Sequence, residues 1–297
     1  MTVSFFLNNK LQKYKHMKIC KTINETTSLL SIFINDGKKI GFVPTMGALH
    51  KGHISLINIS KKQNDITVVS IFVNPTQFND KQDYIKYPRN SEKDLEMLSN
   101  TGCDLVFMPD DKEMYPEPDN RIFDLGNLET IMEGKFRPGH FQCVAGIVSK
   151  LFDIIKPDKA YFGQKDFQQL SVIKRLVQIT NSKVQIISCP IIREENGLAL
   201  SSRNLRLSVE EFKQAAIIYK TINQLSTFLE NNKFCEFKTW AIKQIDKISL
   251  FKTEYIEIVD TETLGIVKDI KYHKSITCCI AVYCGQIRLI DNIQINL

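Results

Sequence analysis

Ile66-Thr-Val-Val-Ser-Ile-Phe-Val73 is the stretch that most restricts what this chain can become. Almost every residue in it is apolar and most are β-branched, whereas a strand with one wet face alternates apolar with polar. The run predicts a strand covered on both faces, the mark of a parallel sheet between helical layers. The surrounding sequence supplies the other parts. Residues 39–43, 104–108, 159–162 and 184–189 read as strands, and 52–62, 91–101, 142–155 and 167–179 as helices. This alternation predicts an α/β fold, a doubly wound parallel sheet with ligands at the C-terminal ends of its strands. After Pro190 the pattern changes to helical segments at 208–230 and 236–248 and strand-like runs at 255–259, 276–282 and 286–290. The expected organisation is a ligand-binding domain over 17–191 and a smaller α+β domain over 192–297. Met17 opens Met-Lys-Ile-Cys-Lys-Thr and reads as a second start, which makes residues 1–16 a leader expected to be disordered.

A chain of 297 residues with 43% hydrophobic content has ample material for such a core. Its formal charge of +6 suits an anionic ligand, but the lysines are scattered, which argues against nucleic acid as a partner. The eight cysteines include no Cys-x-x-Cys pair, and several lie inside apolar runs. Reduced, buried thiols of a cytoplasmic protein are expected, not disulfides or a structural zinc site. No stretch reaches the roughly 18–20 apolar residues of a membrane span. The short patch Val3–Leu7 lacks the long apolar region and cleavage site of an export signal.

Polar chemistry gathers at the predicted strand ends. Pro44-Thr-Met46-Gly-Ala-Leu-His50-Lys-Gly-His53 puts two of the five histidines at a strand-to-helix turn. Imidazole donors and backbone N–H groups there can meet a phosphate at the positive end of a helix; a turn with surface histidines is the competing reading. Asn74 and Gln77 sit in Val-Asn-Pro-Thr-Gln-Phe, where two amides can bind a small polar substrate or simply make an Asn-Pro turn. The polar segment 79–93 reads as a water-excluding lid or as an ordinary solvated loop. His140, just before a helix that is apolar nearly all round, reads equally as a site histidine or as a capping or core-packing one. In Gly163-Gln-Lys165-Asp166, Lys165 can neutralise phosphate charge and Asp166 can take ribose hydroxyls, with Gln169 about one turn on; a charged helix N-terminus without a ligand is the competing reading. Ser201-Ser202-Arg203 at the domain junction can clamp a phosphate, its guanidinium offsetting charge on departing pyrophosphate.

There is no nucleophile elbow with a Ser-His-Asp order, no phosphate-binding Gly-x-x-x-x-Gly-Lys-Ser/Thr loop and no His-Glu-x-x-His. Hydrolase, P-loop kinase and zinc protease chemistry therefore lose support. The remaining set suggests nucleotidyl transfer without a covalent enzyme intermediate, carried by positioning and charge neutralisation with Mg2+ shared by the phosphates.

Taken in order, these motifs resemble the pantothenate synthetase (pantoate–β-alanine ligase) family, within the nucleotidyltransferase superfamily marked by His-x-Gly-His. The resemblance runs from Met17 to Leu297. It rests also on Tyr-Pro-Arg89, Phe-Arg-Pro-Gly-His-Phe141, Phe-Gly-Gln-Lys-Asp-Phe-Gln-Gln-Leu170, Arg193-Glu-x-x-Gly-Leu-Ala-x-Ser-Ser-Arg-Asn204 and Tyr-Ile-Glu-Ile-Val-Asp260. It implies a Rossmann-like nucleotide-binding domain, a C-terminal lid domain, and a cytoplasmic homodimer acting on ATP, pantoate and β-alanine with Mg2+. The implied reaction passes through pantoyl adenylate to pantothenate, releasing pyrophosphate and AMP, the last step of pantothenate (vitamin B5) biosynthesis. On matching positions, His50, His53, Lys165 and Arg203 become the catalytic set, with Ser201 and Ser202 on the triphosphate. Gly163 and Asp166 hold the ribose. Pro44, Met46, Gln77 and Gln169 surround pantoate, Met46 touching ATP as well, and Asn74 and Gln77 meet β-alanine. No direct metal ligand is assigned; Asp94 is the candidate for an indirect Mg2+ contact. Cys143, Gly146, Leu200 and Lys93 depart from the family pattern. Two other readings are another small-molecule nucleotidyltransferase of this fold and a catalytically silent nucleotide-binding relative.

Overall fold

The computed structural model describes residues 16–231 and 233–297; the expected leader lies outside them except for His16. By density of internal packing the chain forms two compact units. The first comprises the described residues up to Leu125 together with Gly139–Phe162 and Val172–Cys189. The second comprises Gly126–Pro138, Gly163–Ser171 and Pro190–Leu297.

The first unit is built on strands β1 (Lys18–Cys20), β2 (Ile40–Thr45), β3 (Ile66–Ile71), β4 (Leu105–Phe107), β5 (Lys159–Gly163) and β6 (Gln185–Cys189), in the order β1-β4-β3-β2-β5-β6. The β1–β4, β4–β3, β3–β2 and β2–β5 pairs all run parallel. Strand β3 is the expected inner strand, with Val68, Val69 and Ser70 fully buried. The strand order reverses between β2 and β5, which is where an open α/β sheet offers its crevice. On one side, Val43, Val69 and Val106 pack with Leu56 and Ile57 of the helix Lys51–Gln63 and Leu98 of the helix Ser91–Ser99. The helix Lys51–Gln63 can come close because Gly41 has no side chain: a Cβ there would stand 2.2 Å from Ser60 Oγ. The helix His140–Ile155 carries Phe152, whose ring meets Phe42 edge-on at 6.4 Å.

Two elements at the start of this unit were not expected from the sequence. Strand β1 pairs with β4, and the helix Ile23–Asn35 follows it, started by a reciprocal cap between Thr22 and Glu25. The Thr-x-x-Glu spacing was the available signal.

In the second unit, β7 (Phe251–Asp260), β8 (Ser275–Cys284) and β9 (Ile287–Asn296) form an antiparallel sheet in that order. Its apolar face, with Ile256, Ile276, Ile280 and Val282, packs against Phe237, Ala241 and Ile245 of the helix Phe234–Asp246. The helical segment expected over 208–230 is three short helices, Val209–Gln214, Ala216–Ile222 and Leu225–Glu230. Short breaks of this kind leave the apolar period intact, so periodicity does not reveal them.

Candidate active site

Strand β2 runs out through Pro44 and Thr45 into a turn whose backbone is committed to internal partners. Gly47 N–H donates to Thr45 Oγ1, and those of Ala48 and Leu49 donate to the Asp94 carboxylate at 2.9 and 2.7 Å. Both Gly47 and Ala48 have positive φ, +77° and +48°. A Cβ on Gly47 would lie 3.0 Å from Asp94 Oδ2, so glycine is needed here for space as well as for conformation. Asp94 is 2% exposed; burial pushes its pKa up, and the two N–H groups oppose that shift.

His50 caps the helix Lys51–Gln63. Its Nδ1 accepts from Gly52 N–H at 3.1 Å, and His53 Nδ1 accepts from His50 N–H at 3.3 Å. The backbone N–H groups of Gly47, Ala48, Leu49, His50 and Gly52 are therefore already engaged, three by groups of the segment itself and two by Asp94. A neutral ring that accepts at Nδ1 bears its proton on Nε2. The rings lie 4.0 Å apart, giving a pair of Nε2–H donors fixed by the local fold.

Met46, Asn74 and Gln77 come together. Gln77 Nε2 donates to Met46 Sδ at 2.9 Å, and Asn74 Nδ2 donates to Gln77 Oε1 at 3.3 Å. Asn74, 1% exposed, accepts at Oδ1 from Thr76 and from Tyr115 Oη at 2.7 Å. His140 Nδ1 donates to the Gln77 carbonyl at 2.9 Å, so this buried histidine packs against and pins the amide segment. Pro44 stands in β2 opposite Ser70. The segment 79–93 contains the helix Lys81–Lys86, and Arg89 donates to the carbonyls of Tyr84 and Tyr87 while lying 4.6 Å over the Tyr84 ring. It is a folded flap, not an open loop. A cavity of about 480 Å³ in this unit is lined by Met46, Gly47, Phe72, Tyr84, Arg89 and Asp94 among others.

The remaining candidates belong to the second unit. Gly163 ends β5, a short 3-10 turn Gln164–Asp166 carries Lys165 and Asp166, and Gln169 follows on the helix Phe167–Ile179. Asp166 is exposed; Lys165 and Gln169 are half-buried. Ser201 Oγ accepts from Arg203 N–H at 3.2 Å and so caps the 3-10 helix Ser202–Arg206, and Ser202 is buried. Sequence reasoning gave no role to Arg193, Asp291 or Asn292. The signal was two adjacent polar residues in the middle of the strand, in Leu-Ile-Asp-Asn-Ile293, where strict alternation would place only one.

Of the departures from the family pattern, Gly146 brings no side chain to the helix His140–Ile155, but its carbonyl accepts from Arg121. Among the described residues no three His, Cys, Asp or Glu side chains stand together as a metal cage. Among them too, no helix is long and apolar enough to cross a membrane. The eight cysteines carry no disulfide, and Cys20, Cys103, Cys189, Cys278, Cys279 and Cys284 are buried.

Comparison with known proteins gives a consistent result. The family model described as Pantoate-beta-alanine ligase matches residues 18–294. A pantothenate synthetase of Bacteroides fragilis (strain YCH46) is 49% identical over 278 residues, spanning 94% of this chain and 99% of the relative. A crystal structure of pantothenate synthetase from Thermus thermophilus superposes with a TM-score of 0.87 at 38% identity, covering 93% of this chain and 99% of that one. A pantoate-beta-alanine ligase from Francisella tularensis, solved with beta-gamma ATP and beta-alanine, matches with a TM-score of 0.76 at 38% identity, covering 93% and 97%.

Proposed function

The chain belongs to the pantoate–β-alanine ligase family and makes pantothenate at the expense of ATP; from that premise we propose the following division of labour among its residues. A carboxylate is a poor electrophile, so it must first be activated. Pantoate's carboxylate oxygen attacks the α-phosphorus of ATP, the bond to the β-phosphate breaks, and pyrophosphate leaves. The β-alanine amine then attacks the acyl carbon, loses its proton and expels AMP.

In the first step negative charge builds on the phosphates. The Nε2–H groups of His50 and His53 are the donors that meet it, and they need no rearrangement because their Nδ1 atoms are already engaged. Lys165 neutralises phosphate charge as well, and Ser201, Ser202 and Arg203 hold the departing pyrophosphate. Asp166 and the backbone at Gly163 take the ribose. Gln77 and Gln169 hold pantoate by its hydroxyls and carboxylate, with Pro44 and Met46 as apolar wall and Asn74 and Gln77 receiving β-alanine. In this reading residues 17–191 bind ATP and pantoate, and 192–297 serve as the lid domain. The flap over 79–93 would keep water from the acyl adenylate.

Magnesium would neutralise phosphate charge when it arrives with the nucleotide. The described residues do not make a cage for it, and both Asp94 oxygens already accept N–H groups. Asp94 would meet the ion through water alone. A homodimer and a cytoplasmic location are proposed on the family resemblance, and sedimentation velocity at micromolar concentration tests the first.

The observation that carries the reading is the self-capped histidine pair at the end of β2. Its test is pantoate-dependent exchange of labelled pyrophosphate into ATP with β-alanine omitted. Wild-type protein should exchange and His53→Ala should not, with its circular dichroism unchanged; full exchange by His53→Ala would remove the phosphate role. Gln77→Ala should raise KM for pantoate far more than KM for ATP, and equal rises would remove its role as a substrate amide.

A further inference from the structure

Asp291 and Asn292 of β9 are 3% and 5% exposed, an unusual pair of polar residues to bury side by side. Successive strand residues point to opposite faces, so the two reach different partners. Asp291 takes the Arg193 guanidinium through both oxygens, at 2.6 and 3.0 Å. Arg193 also donates to the carbonyls of Gly197 and Asn292 at 3.1 and 3.3 Å and lies 3.7 Å over the Tyr219 ring. It thereby closes a small hairpin in which Arg193 bridges to Ala199 and Leu200 N–H donates to the Ile192 carbonyl. That hairpin leads directly into Ser201-Ser202-Arg203. Asn292 serves the other segment: its Nδ2 donates to the carbonyls of Gln164 and Lys165, each at 2.9 Å. Its own N–H donates to Asp291 Oδ1 at 2.7 Å, which joins the two anchors.

We propose that Asp291 and Asn292 are positioning residues that fix the Lys165 turn and the Ser201–Arg203 loop to one strand, so that both act on a single triphosphate. The proposal rests on the reading of those two segments as phosphate-binding. Neither segment lies in a sheet of its own, and β9 supplies the common reference. Misplacing a charge by about 1 Å can cost on the order of a hundredfold in rate. The dependence is confined to the step in which pyrophosphate forms, because it has already left when the amine attacks.

The test uses full-length wild-type protein, Asn292→Ala, Asn292→Ser and Lys165→Ala, with rates taken per folded molecule from circular dichroism. Each is assayed for pantoate-dependent pyrophosphate exchange and, separately, for β-alanine attack on supplied pantoyl adenylate. Asn292→Ala should lose exchange by about tenfold or more while the second step stays within about twofold. Asn292→Ser, which keeps one donor, should recover part of the loss. Exchange within about twofold of wild type in the folded Asn292 variants, or equal losses in both steps, overturns the positioning role. Normal exchange by Lys165→Ala would instead overturn the phosphate reading beneath it, so the two failures are distinguishable.

Discussion

Asp94 shows how much one buried side chain can set. Ala48 adopts a left-handed backbone that costs a non-glycine residue about 1–2 kcal/mol. Two hydrogen bonds to a carboxylate offset that cost and deliver His50 to its capping position. Asparagine at 94 would accept one N–H and turn its own amide hydrogens toward the other. Asp94→Asn should therefore lose about 1–3 kcal/mol in urea denaturation, and pyrophosphate exchange should fall with it. Wild-type exchange in this variant would show that the turn holds without the carboxylate. Asp260 illustrates a pH effect. The Thr263 N–H and hydroxyl, the Glu262 N–H and His273 Nδ1 surround its carboxylate, and the Thr263 N–H foremost lowers its pKa from 3.8 to about 2. A lowered carboxylate pKa stabilises the fold above the unfolded value and loses that effect as pH falls toward the folded one. The stability gap between wild type and Asp260→Asn should thus be full at pH about 6 and shrink on going below pH about 4; a gap independent of pH would refute the assignment.

At the level of elements, the short helix Met132–Phe136 is fastened by a buried ion cluster. Glu133 takes Arg288 of β9 at 2.7 and 2.8 Å and the Tyr255 hydroxyl of β7 at 2.8 Å, while Arg288 also pairs with Glu254. Phe136 stacks on Tyr255 at 5.5 Å. Burial alone would push the Glu133 carboxyl up, but Arg288 more than reverses that and holds it below the usual range. Gln168 adds three bonds to the same segment, through Glu133 N–H and the carbonyls of Leu128 and Ile131. Glu133→Ala leaves Arg288 buried with one partner fewer and should cost about 3 kcal/mol in urea unfolding. A loss below about 0.5 kcal/mol would mean the cluster is worth no more than a surface pair.

For the whole molecule, the thiols give a simple test of a reduced core. Only Cys235 is exposed and Cys143 is half-buried, while burial raises the pKa of Cys103 to about 12 and of Cys189 and Cys284 to about 11. A thiol reagent at neutral pH should titrate one cysteine fast in native protein and all eight in guanidinium; several fast thiols in the native state would contradict this packing. Much of the molecule was legible beforehand. Ile66–Val73 announced an inner strand because burial on both faces removes the polar alternation, and Phe167–Ile179 showed its helix through its period. The polar types of His50, His53 and Gln77, and their places just beyond strand ends, were also readable from the sequence. Composition and local spacing, which act over a few residues, determined the fold class, the burial of most thiols and the identity of the polar groups. The tertiary structure alone decided which of those groups are donors and what holds them. Asp94 spends the turn's backbone N–H groups from 45 residues away, and Glu133 and Arg288 meet across 155, contacts no local pattern encodes. Such pairings exist only after the chain has closed, because a hydrogen bond or ion pair between distant residues is selected by the packing that brings them together.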